Sequence, residues 1–341
     1  MLCMSKKKYS ISDVADMLGV SKSTVSRVIN GQKGVGDELR QKILDFVREI
    51  GYEPNTIAQS LSKGRMNIIA LILGDIRNPF YADLTFNIQR LLNEAGYMVM
   101  VFNSEYDVNR ELEFLRLTEK FNFAGLILIT AQEKAVEIQL EKLEIPKVLV
   151  NRILPHYTGS SVLIDNFKAG YMAAMHLIEL GHNRIGFIKG PGVSSASSQR
   201  YEGYCQALKN YGMVQEPQFI FESNLTMETG KALAEQFFTM ENRPSAMVIV
   251  NDMTAIGFMD GAKRVGVSIP GELSVVSFDN IEVSSVSGIE LTTVNQHVAN
   301  MGDMAAKLML RQLEDEDVKP ERVILEPTLV VRKTTAPYTG N

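Results

Sequence analysis

The stretch that decides the fold of the N-terminal region is YSISDVADMLGVSKSTVSRVIN, residues 9–30. Ser10 stands three residues before Asp13, which is capping-box spacing for a first helix. Gly19 marks a turn, and Ser21 is a good N-cap for a second helix over residues 22–29. Two short helices around a glycine-containing turn are the geometry of a helix–turn–helix.

The predicted outer face of the second helix combines cations and hydroxyls and contains no acidic residue. Its members are Lys22, Ser23, Ser26 and Arg27. Arginine can donate two hydrogen bonds to guanine in a major groove, and serine can reach a base edge or a phosphate. An ordinary polar face on a surface helix would have the same composition, so this pattern alone leaves both readings open.

The net charge of −5 hides an uneven distribution along the chain. Residues 1–65 contain 11 Lys and Arg against 7 Asp and Glu, whereas the rest contain 24 against 33. A basic head on an acidic body is typical of a DNA-binding module joined to a sensor domain, although chance imbalance would look the same.

Length and composition indicate a folded soluble protein. The 341 residues suffice for two to three domains, and 45% are hydrophobic while 22% are charged. No apolar run approaches the roughly 20 residues that span a membrane, and the lysine-rich N-terminus has no apolar segment behind it. Two distant cysteines do not make a disulfide framework, which favours a cytoplasmic protein.

A third helix is predicted over residues 36–50, with Leu39, Ile43 and Val47 toward the first two. A short helical segment, residues 56–61, follows with Asn55 as its cap. Such a short segment is unstable alone, so it requires a second copy of itself or a nucleic acid as partner.

The run from Tyr9 to Asn30 resembles the headpiece of the LacI/GalR family of bacterial transcriptional regulators. The match continues without gaps through Val35, Arg40, Gly51-Tyr52, Pro54-Asn55, Ala58 and Leu61. The resemblance implies that Lys22, Ser23 and Arg27 read bases and that Leu61 wedges into a central minor-groove step. The DNA-contacting residues predicted in this way are Ser10, Lys22, Ser23, Thr24, Ser26, Arg27, Asn30, Asn55, Ala58 and Leu61.

Beyond residue 65 the pattern changes to short apolar runs that alternate with longer amphipathic stretches. This alternation predicts two lobes of parallel α/β units. The predicted strands cover residues 68–73, 98–102, 125–129, 147–150, 185–188, 247–250 and 273–277. The predicted helices cover residues 84–95, 110–121, 168–180, 199–211, 229–240, 254–265 and 298–313.

Polar side chains follow several of these strands, where parallel α/β lobes bind their ligands. They are Asp75, Asn78, Asn103, Asn151, Arg152, Asn251, Asp252 and Asp279. Converging carboxylates, amides and arginines suit a polyhydroxylated ligand, and Phe80 or Tyr81 could stack on a sugar face. Each polar residue could instead be a helix cap or a turn residue.

The body also resembles the family's core, which is similar to type I periplasmic sugar-binding proteins. The matching motifs include Asn78-Pro79-Phe80-Tyr81, Ile164-Asp165-Asn166, Val250-Asn251-Asp252 and Ser277-Phe278-Asp279-Asn280. The resemblance implies effector contacts by Arg200 and Asp279. The predicted effector-binding residues are Asp75, Asn78, Phe80, Tyr81, Asn103, Asn151, Arg152, Asp165, Arg200, Asn251 and Asp279.

The predicted organisation has four parts. They are a helix–turn–helix domain (residues 1–55), a hinge helix and linker (56–65), a two-lobed effector-binding and dimerisation core (66–335) and a tail (336–341). The N-lobe is expected at about 66–164 and 295–325, and the C-lobe at about 166–293 and 327–335.

Several other functions lack their motifs. Gly190-Pro191-Gly192 has neither dinucleotide-binding nor P-loop spacing, the four histidines lack metal-ligand spacing, and no catalytic constellation can be assembled. No cofactor, metal or membrane partner is therefore predicted. The leading hypothesis is a homodimeric repressor that binds a pseudo-palindromic operator and responds to a carbohydrate effector. The alternatives are a plain cytoplasmic sugar-binding protein and a sugar-processing enzyme.

Overall fold

The computed structural model describes residues 9–29, 31–52, 65–130, 134–315 and 317–340. Within it the chain divides into two compact units, residues 1–66 and 67–341. The predicted DNA-contacting residues Asn30, Asn55, Ala58 and Leu61 lie outside the described residues, as does the whole hinge segment 56–61.

The N-terminal unit contains the predicted helix–turn–helix. Its helices are α1 (Ile11–Leu18), α2 (Lys22–Ile29) and α3 (Asp37–Glu49). The Ser10 hydroxyl accepts a hydrogen bond from the Asp13 N–H at 3.3 Å, and the Asp13 carboxylate accepts one from the Ser10 N–H at 2.7 Å. Gly19 ends α1 with φ 63°, and the Ser21 hydroxyl accepts from the Thr24 N–H at 3.1 Å. Both predicted caps are confirmed.

Five buried side chains hold the three helices together. They are Val14, Ala15, Val25, Val28 and Ile43. Fully burying one such aliphatic side chain contributes roughly 1.5–3 kcal/mol, which makes this small core the main source of stability for helices of this length. Because Val25 and Val28 face inward, the opposite side of α2 is left to solvent.

The first lobe of the larger unit is a largely parallel six-stranded sheet in the order β2-β1-β3-β4-β5-β11. Its strands are β1 (Met66–Leu73), β2 (Met98–Asn103), β3 (Phe123–Leu128), β4 (Lys147–Val150), β5 (Ser160–Ile164) and β11 (Arg322–Leu325). Its helices are α4 (Pro79–Glu94), α5 (Val108–Lys120), α6 (Lys134–Lys142) and α11 (Val298–Glu314). Strands β1 and β3 are almost fully buried, which explains their continuous apolar runs.

The second lobe is a six-stranded sheet in the order β7-β6-β8-β9-β10-β12, in which β12 runs antiparallel to β10. Its strands are β6 (Ile185–Lys189), β7 (Ile220–Glu222), β8 (Ala246–Ile249), β9 (Ser274–Asp279), β10 (Thr292–Asn295) and β12 (Thr328–Val330). Its helices are α7 (Asn166–Glu179), α8 (Ser195–Asn210), α9 (Met227–Phe238) and α10 (Asp252–Arg264).

The chain passes between the two sheets three times: between β5 and α7, between β10 and α11, and between β11 and β12. These connections are short: the first is Asp165 alone, with Asn166 beginning α7 directly after it, and the second contains Gln296. The three connections therefore define where the lobes meet.

The C-terminal segment was predicted as a polar tail over residues 336–341, and the structure describes it up to residue 340. The Tyr338 N–H donates to the Leu180 carbonyl at 2.8 Å, and the Ala336 carbonyl lies 3.1 Å from Nε2 of His182. The described part of this segment thus packs on the second lobe, because an exposed polar composition does not exclude backbone hydrogen bonding. Among the described helices, none combines the length and the apolar character needed to span a membrane.

Candidate functional site

The exposed face of α2 is the first candidate site. Lys22, Ser23 and Arg27 are exposed there, while Thr24 and Ser26 are half-buried. The Ser21 hydroxyl lies 2.7 Å from the Ser23 hydroxyl and 2.8 Å from the Thr24 hydroxyl, so the start of the helix is locally ordered. This face presents donors and positive charge without a carboxylate on the helix itself.

The second candidate site is a cleft between the two lobes of the larger unit. Residues that follow strands or begin helices in both lobes converge there. The predicted effector residues that line this cleft are Asn78, Phe80, Tyr81, Asn151, Arg152, Arg200, Asn251 and Asp279. The space left among them is about 40 Å³. Small-molecule sites usually measure roughly 300 Å³ or more, so a sugar would enter only as the lobes open.

A chain of side-chain hydrogen bonds links the lobes across the cleft. Asn151, at the end of β4, donates from Nδ2 to Oε1 of Gln296 at 3.1 Å. Gln296 in turn donates from Nε2 to the Asp279 carboxylate at the end of β9. On the other side Arg200 donates from Nε to Oδ1 of Asn166 at 2.9 Å. Gln296 lies in one connection between the lobes and Asn166 directly follows another, so this hydrogen-bonded network joins the lobe connections to the cleft.

Arg200 and Asp279 form a buried, loosely paired couple in this cleft. Their closest atoms, Nη1 and Oδ1, are 3.8 Å apart, and both side chains are buried. Arg200 also donates to the Val250 carbonyl at 2.7 Å, and its guanidinium stacks on the ring of Phe278. Burial raises the pKa of Asp279 to about 8, against the opposing effect of the Arg200 charge. A neutral or half-ionised carboxyl can both donate to and accept from a sugar hydroxyl.

Asp252 is fully buried but faces away from the cleft. Its carboxylate accepts hydrogen bonds from the hydroxyls of Ser277, Ser284 and Thr293 and from the Ile281 N–H. All these donors belong to β9, β10 and the loop between them, so Asp252 joins α10 to that edge of the sheet. Its role is structural, as the alternative interpretation of this residue allowed.

Four residues of the cleft lining have left-handed backbone conformations: Tyr106, Asn151, Leu225 and Asp279. Asn151 has φ 54° and Asp279 has φ 114°, both at the carboxyl ends of strands. Asparagine and aspartate tolerate such values better than other side chains, and residues in these conformations cluster at ligand sites. The backbone therefore turns out of the sheet at the point where each side chain must reach the cleft.

Three predicted effector residues lie elsewhere. Asp75 pairs with Arg77 at 2.8 Å, and Oδ1 of Asn103 accepts from the Ile76 N–H at 2.9 Å. Asp165 accepts from the Lys168 N–H at 2.8 Å and caps α7. These short polar side chains satisfy nearby backbone or charge, and none of the three is among the residues that line the cleft.

Other lining residues were not predicted as effector-binding. Tyr106 follows β2 and donates from its hydroxyl to that of Tyr81 at 3.3 Å, while Gln296 follows β10. Further members of the lining are Ser194, Ala196, Ser197, Leu225 and Val250. The position of Gln296 after a strand was an available signal, but that strand was itself not predicted.

The cleft has the chemistry of a binding site. It combines amides, hydroxyls, two arginines and one carboxyl with the rings of Phe80 and Tyr81. Within the described part of the chain, no group of three His, Cys, Asp or Glu side chains is arranged to hold a metal ion. The arrangement suits recognition of a polyhydroxylated molecule.

The raised pKa of Asp279 makes a prediction for stability against pH. Folding favours its protonated form, so its contribution is fully present below about pH 4 and is lost as the pH rises through about 8. Relative to Asp279→Asn, the wild-type free energy of unfolding should therefore fall across this range by up to roughly 1.4 kcal/mol per pH unit.

Urea unfolding of both proteins between about pH 4 and about pH 9 measures this difference, because these limits enclose the interval from the ordinary aspartate pKa of 3.8 to the raised value of about 8. The pKa of Asp252 is also raised by burial, and because that carboxyl is present in both proteins, the difference between them reports Asp279 together with its interaction with Asp252. Parallel pH profiles for the two proteins would contradict the assignment.

Comparison with known proteins finds a family match in each of the two units. Residues 10–55 match the model of bacterial regulatory proteins of the lacI family, and residues 174–335 match the periplasmic binding protein-like domain. The HTH-type transcriptional regulator DegA of Bacillus subtilis is 32% identical over 97% of this chain and 99% of its own length.

Solved structures agree with these matches. A lac repressor dimer bound to operator and the anti-inducer ONPF is 25% identical with a TM-score of 0.86, over 97% of this chain and 100% of that one. The complex of the transcriptional regulator CelR with cellobiose is 26% identical with a TM-score of 0.73, over 96% of this chain and 100% of that one. The helix–turn–helix, the two-lobed core and this near-complete similarity establish that the chain belongs to the LacI family and is a DNA-binding transcriptional regulator, not an enzyme.

Proposed function

We propose that this protein is a cytoplasmic, homodimeric repressor whose operator binding is controlled by a small polyhydroxylated effector in the cleft between the lobes. The observation that carries the proposal is the chain Asn151–Gln296–Asp279, which joins cleft side chains of both lobes to a connecting segment. An effector that replaces these hydrogen bonds would change the lobe arrangement directly. The similarity to the CelR–cellobiose complex supports a carbohydrate as the effector.

The proposed division of the chain follows its sequence pattern. Residues 1–55 bind DNA, 56–65 form the hinge, and 66–335 form the effector-binding and dimerising core. We assign effector contacts to the predicted residues that line the cleft, namely Asn78, Phe80, Tyr81, Asn151, Arg152, Arg200, Asn251 and Asp279.

Apolar side chains on the first lobe support a homodimer. Phe86 on α4 is 66% exposed and Met98 on β2, the edge strand next to it, is 65% exposed. A second copy of this chain would cover such side chains, and two heads would then fit the half-sites of a pseudo-palindromic operator about one helical turn apart. The lac repressor structure, described as a dimer on its operator, supports this arrangement.

The proposal is tested by measuring operator binding with and without effector. Fluorescence anisotropy on a labelled fragment from the protein's own promoter region should show sequence-specific binding that a small-molecule extract of the host weakens. A plain sugar-binding protein would bind ligand without affecting DNA affinity. Operator affinity that no component of the extract changes would contradict effector control.

Arg27 provides the prediction for operator reading. Its side chain is exposed on α2, and the helix has no carboxylate to compete with a base. Arg27→Ala should cost roughly 1–3 kcal/mol on the best site and should change binding to random DNA much less. Parallel titrations on operator and scrambled DNA measure this, with Arg48→Ala on α3 as a matched exposed control. Equal losses on both DNAs would mean that Arg27 contacts only phosphate.

A further inference from the structure

Arg152 is a buried cation whose hydrogen-bonding capacity is used only in part. Only 5% of the residue is exposed, and its Nε has no hydrogen-bond partner. Nη1 donates to the carbonyl of the preceding residue, Asn151, at 2.7 Å, and Nη2 reaches the Tyr81 hydroxyl only at 3.4 Å. No carboxylate among the described residues lies within 4 Å of it. Buried guanidinium groups are normally paired, because an isolated buried charge is costly.

The charges that line the cleft do not balance. Arg152, Arg200 and Asp279 are its charged lining residues, and the single carboxyl already lies 3.8 Å from Arg200. Asp252 is buried nearby, but four protein donors occupy its oxygens. Burial and then repulsion by Arg152 lower the pKa of Arg200, so the two guanidinium groups act on each other. At least one of them lacks a counter-charge, and both lack one while Asp279 is protonated.

The orientation of Arg152 places the missing charge in the cleft. Its Nη2 approaches Tyr81, which lines the cleft together with Tyr106 and Phe80. Arg152 also borders a second cavity of about 180 Å³ on the first lobe, which Glu321 and Arg322 line as well. That cavity has the same charge balance as the cleft, so it is the approach of Nη2 to the cleft residue Tyr81 that favours the cleft as the place of the anion.

We propose that the effector is an anionic polyhydroxylated molecule, such as a sugar acid or a sugar phosphate, whose negative group pairs with Arg152. This inference rests on the effector control proposed above and specifies the chemical class of the effector. Arg152 follows β4 of the first lobe and Arg200 lies on α8 of the second. An anion bound between these two cations would cancel their repulsion and so favour the approach of the two lobes. The negative charge of the effector would therefore provide specificity and also stabilise the closed arrangement of the lobes.

The decisive experiment separates host metabolites by charge. A small-molecule extract is passed over an anion-exchange resin, and the retained and unretained pools are each added to the full-length protein. The readouts are the thermal midpoint and the affinity for operator. We expect only the retained pool to shift both. Phosphatase treatment of that pool then distinguishes the two sources of charge, since a phosphate would lose its activity and a carboxylate would keep it.

The outcomes separate the two levels of the proposal. Activity confined to the unretained pool would overturn the anionic effector and leave effector control intact. Activity in neither pool would overturn effector control, and the inference would fail with it. Activity in the retained pool supports both.

Substitution of Arg152 adds a test that does not depend on the effector's identity. In Arg152→Met the active pool should lose at least about tenfold in apparent affinity, as expected when a charged hydrogen bond is removed. The midpoint of the free protein should stay or rise, because an uncompensated buried charge has been removed. A purely structural arginine would give a lower midpoint instead.

Arg184→Met is the matched control, since Arg184 pairs with Glu216 at 3.3 Å away from the cleft. It should keep the full response to the retained pool. Should Arg152→Met fold poorly, Arg152→Lys keeps the charge and loses the planar fork, and it should respond more weakly than wild type. An unchanged response in either Arg152 variant would overturn the role assigned to this residue.

Discussion

Replacing Gly203 with alanine is expected to destabilise the protein by about 2 kcal/mol or more, although alanine is the better helix former. Gly203 lies in the interior of α8, where that change would ordinarily stabilise by up to about 1 kcal/mol. Here a Cβ would overlap the carbonyl oxygen of Phe167 on α7 and lie 2.7 Å from the Tyr171 nitrogen. Backbone atoms cannot rotate away as a flexible side chain can, so the two helices must separate.

The control is Gly192→Ala, in the same lobe, where an added Cβ would meet no atom within 4 Å. Urea unfolding of the two variants and the wild type measures the difference. A stabilised Gly203→Ala would mean that the helix pair yields to the extra carbon at little cost.

Each of the two helices α7 and α8 contributes a glycine to their close contact, and this contact also affects the cleft. Gly170 on α7 faces the carbonyl of Arg200 on α8, as Gly203 faces Phe167. Asn166 at the start of α7 accepts the hydrogen bond from Arg200, so the close crossing of the two helices fixes the distance between Asn166 and Arg200. Gly203→Ala should therefore also weaken effector binding, although residue 203 does not line the cleft. A similar crossing, through Gly230 and Gly257, joins α9 to α10.

Local pattern was enough to predict the head and the alternating architecture of the body. The caps at Ser10 and Ser21 and the inward faces of α1 to α3 follow from spacing that neighbouring residues satisfy themselves. Long apolar runs located β1, β3 and β8 within about two residues, because strands buried on both faces must be apolar throughout.

The missed elements have physical reasons. Strands β10, β11 and β12 are three or four residues long, and hydroxyl side chains in β10 form hydrogen bonds with distant partners. Their strand character comes from pairing with remote segments, which no local window contains. Helices α4 and α8 begin five and four residues earlier than predicted, at Pro79 and Ser195. The first turn of α8 is rich in serine and lines the cleft, so it lacks apolar periodicity, whereas the first turn of α4 begins with Pro79 and continues the apolar face of its helix.

The candidate site residues also divide by whether their hydrogen-bond partners are local or distant in the sequence. A polar residue at the end of a strand can satisfy its own loop, as Asp75 does, or a neighbouring loop, as Asn103 does, or it can reach across the cleft, as Asn151 does. The sequence motif is the same in these cases. Only the tertiary position of the partner decides, which explains why Gln296 was missed and Asp165 was included.

The largest functional effect is expected at the Arg200–Asp279 pair. Arg200→Ala and Asp279→Ala should each abolish the response of operator binding to effector, while operator affinity without effector should change little. The reason is that both side chains belong to the second lobe's side of the cleft, whereas base-reading is assigned to α2 in the separate N-terminal unit. Removing Arg200 leaves Asp279 buried, but a carboxyl whose pKa is already raised to about 8 can stay protonated at neutral pH.

Circular dichroism and thermal unfolding provide the control that both variants fold. The double variant Arg200→Ala/Asp279→Ala should behave as the single variants do, since either change alone already removes the response. A single variant that keeps half or more of the wild-type response would show that the effector is held mainly by other residues of the cleft.

Coupling between the cleft and the head can be measured without knowing in advance whether the effector weakens or strengthens operator binding. Effector binding can shift operator affinity only by its differential affinity for the two lobe arrangements, typically worth about 1–3 kcal/mol. By reciprocity, saturating operator must change effector affinity by the same factor. Release of DNA by effector predicts weaker effector binding on operator, and corepression predicts tighter binding. Identical effector affinities with and without operator would mean that the cleft does not control the head. A ligand that binds both lobe arrangements equally does not change the equilibrium between them.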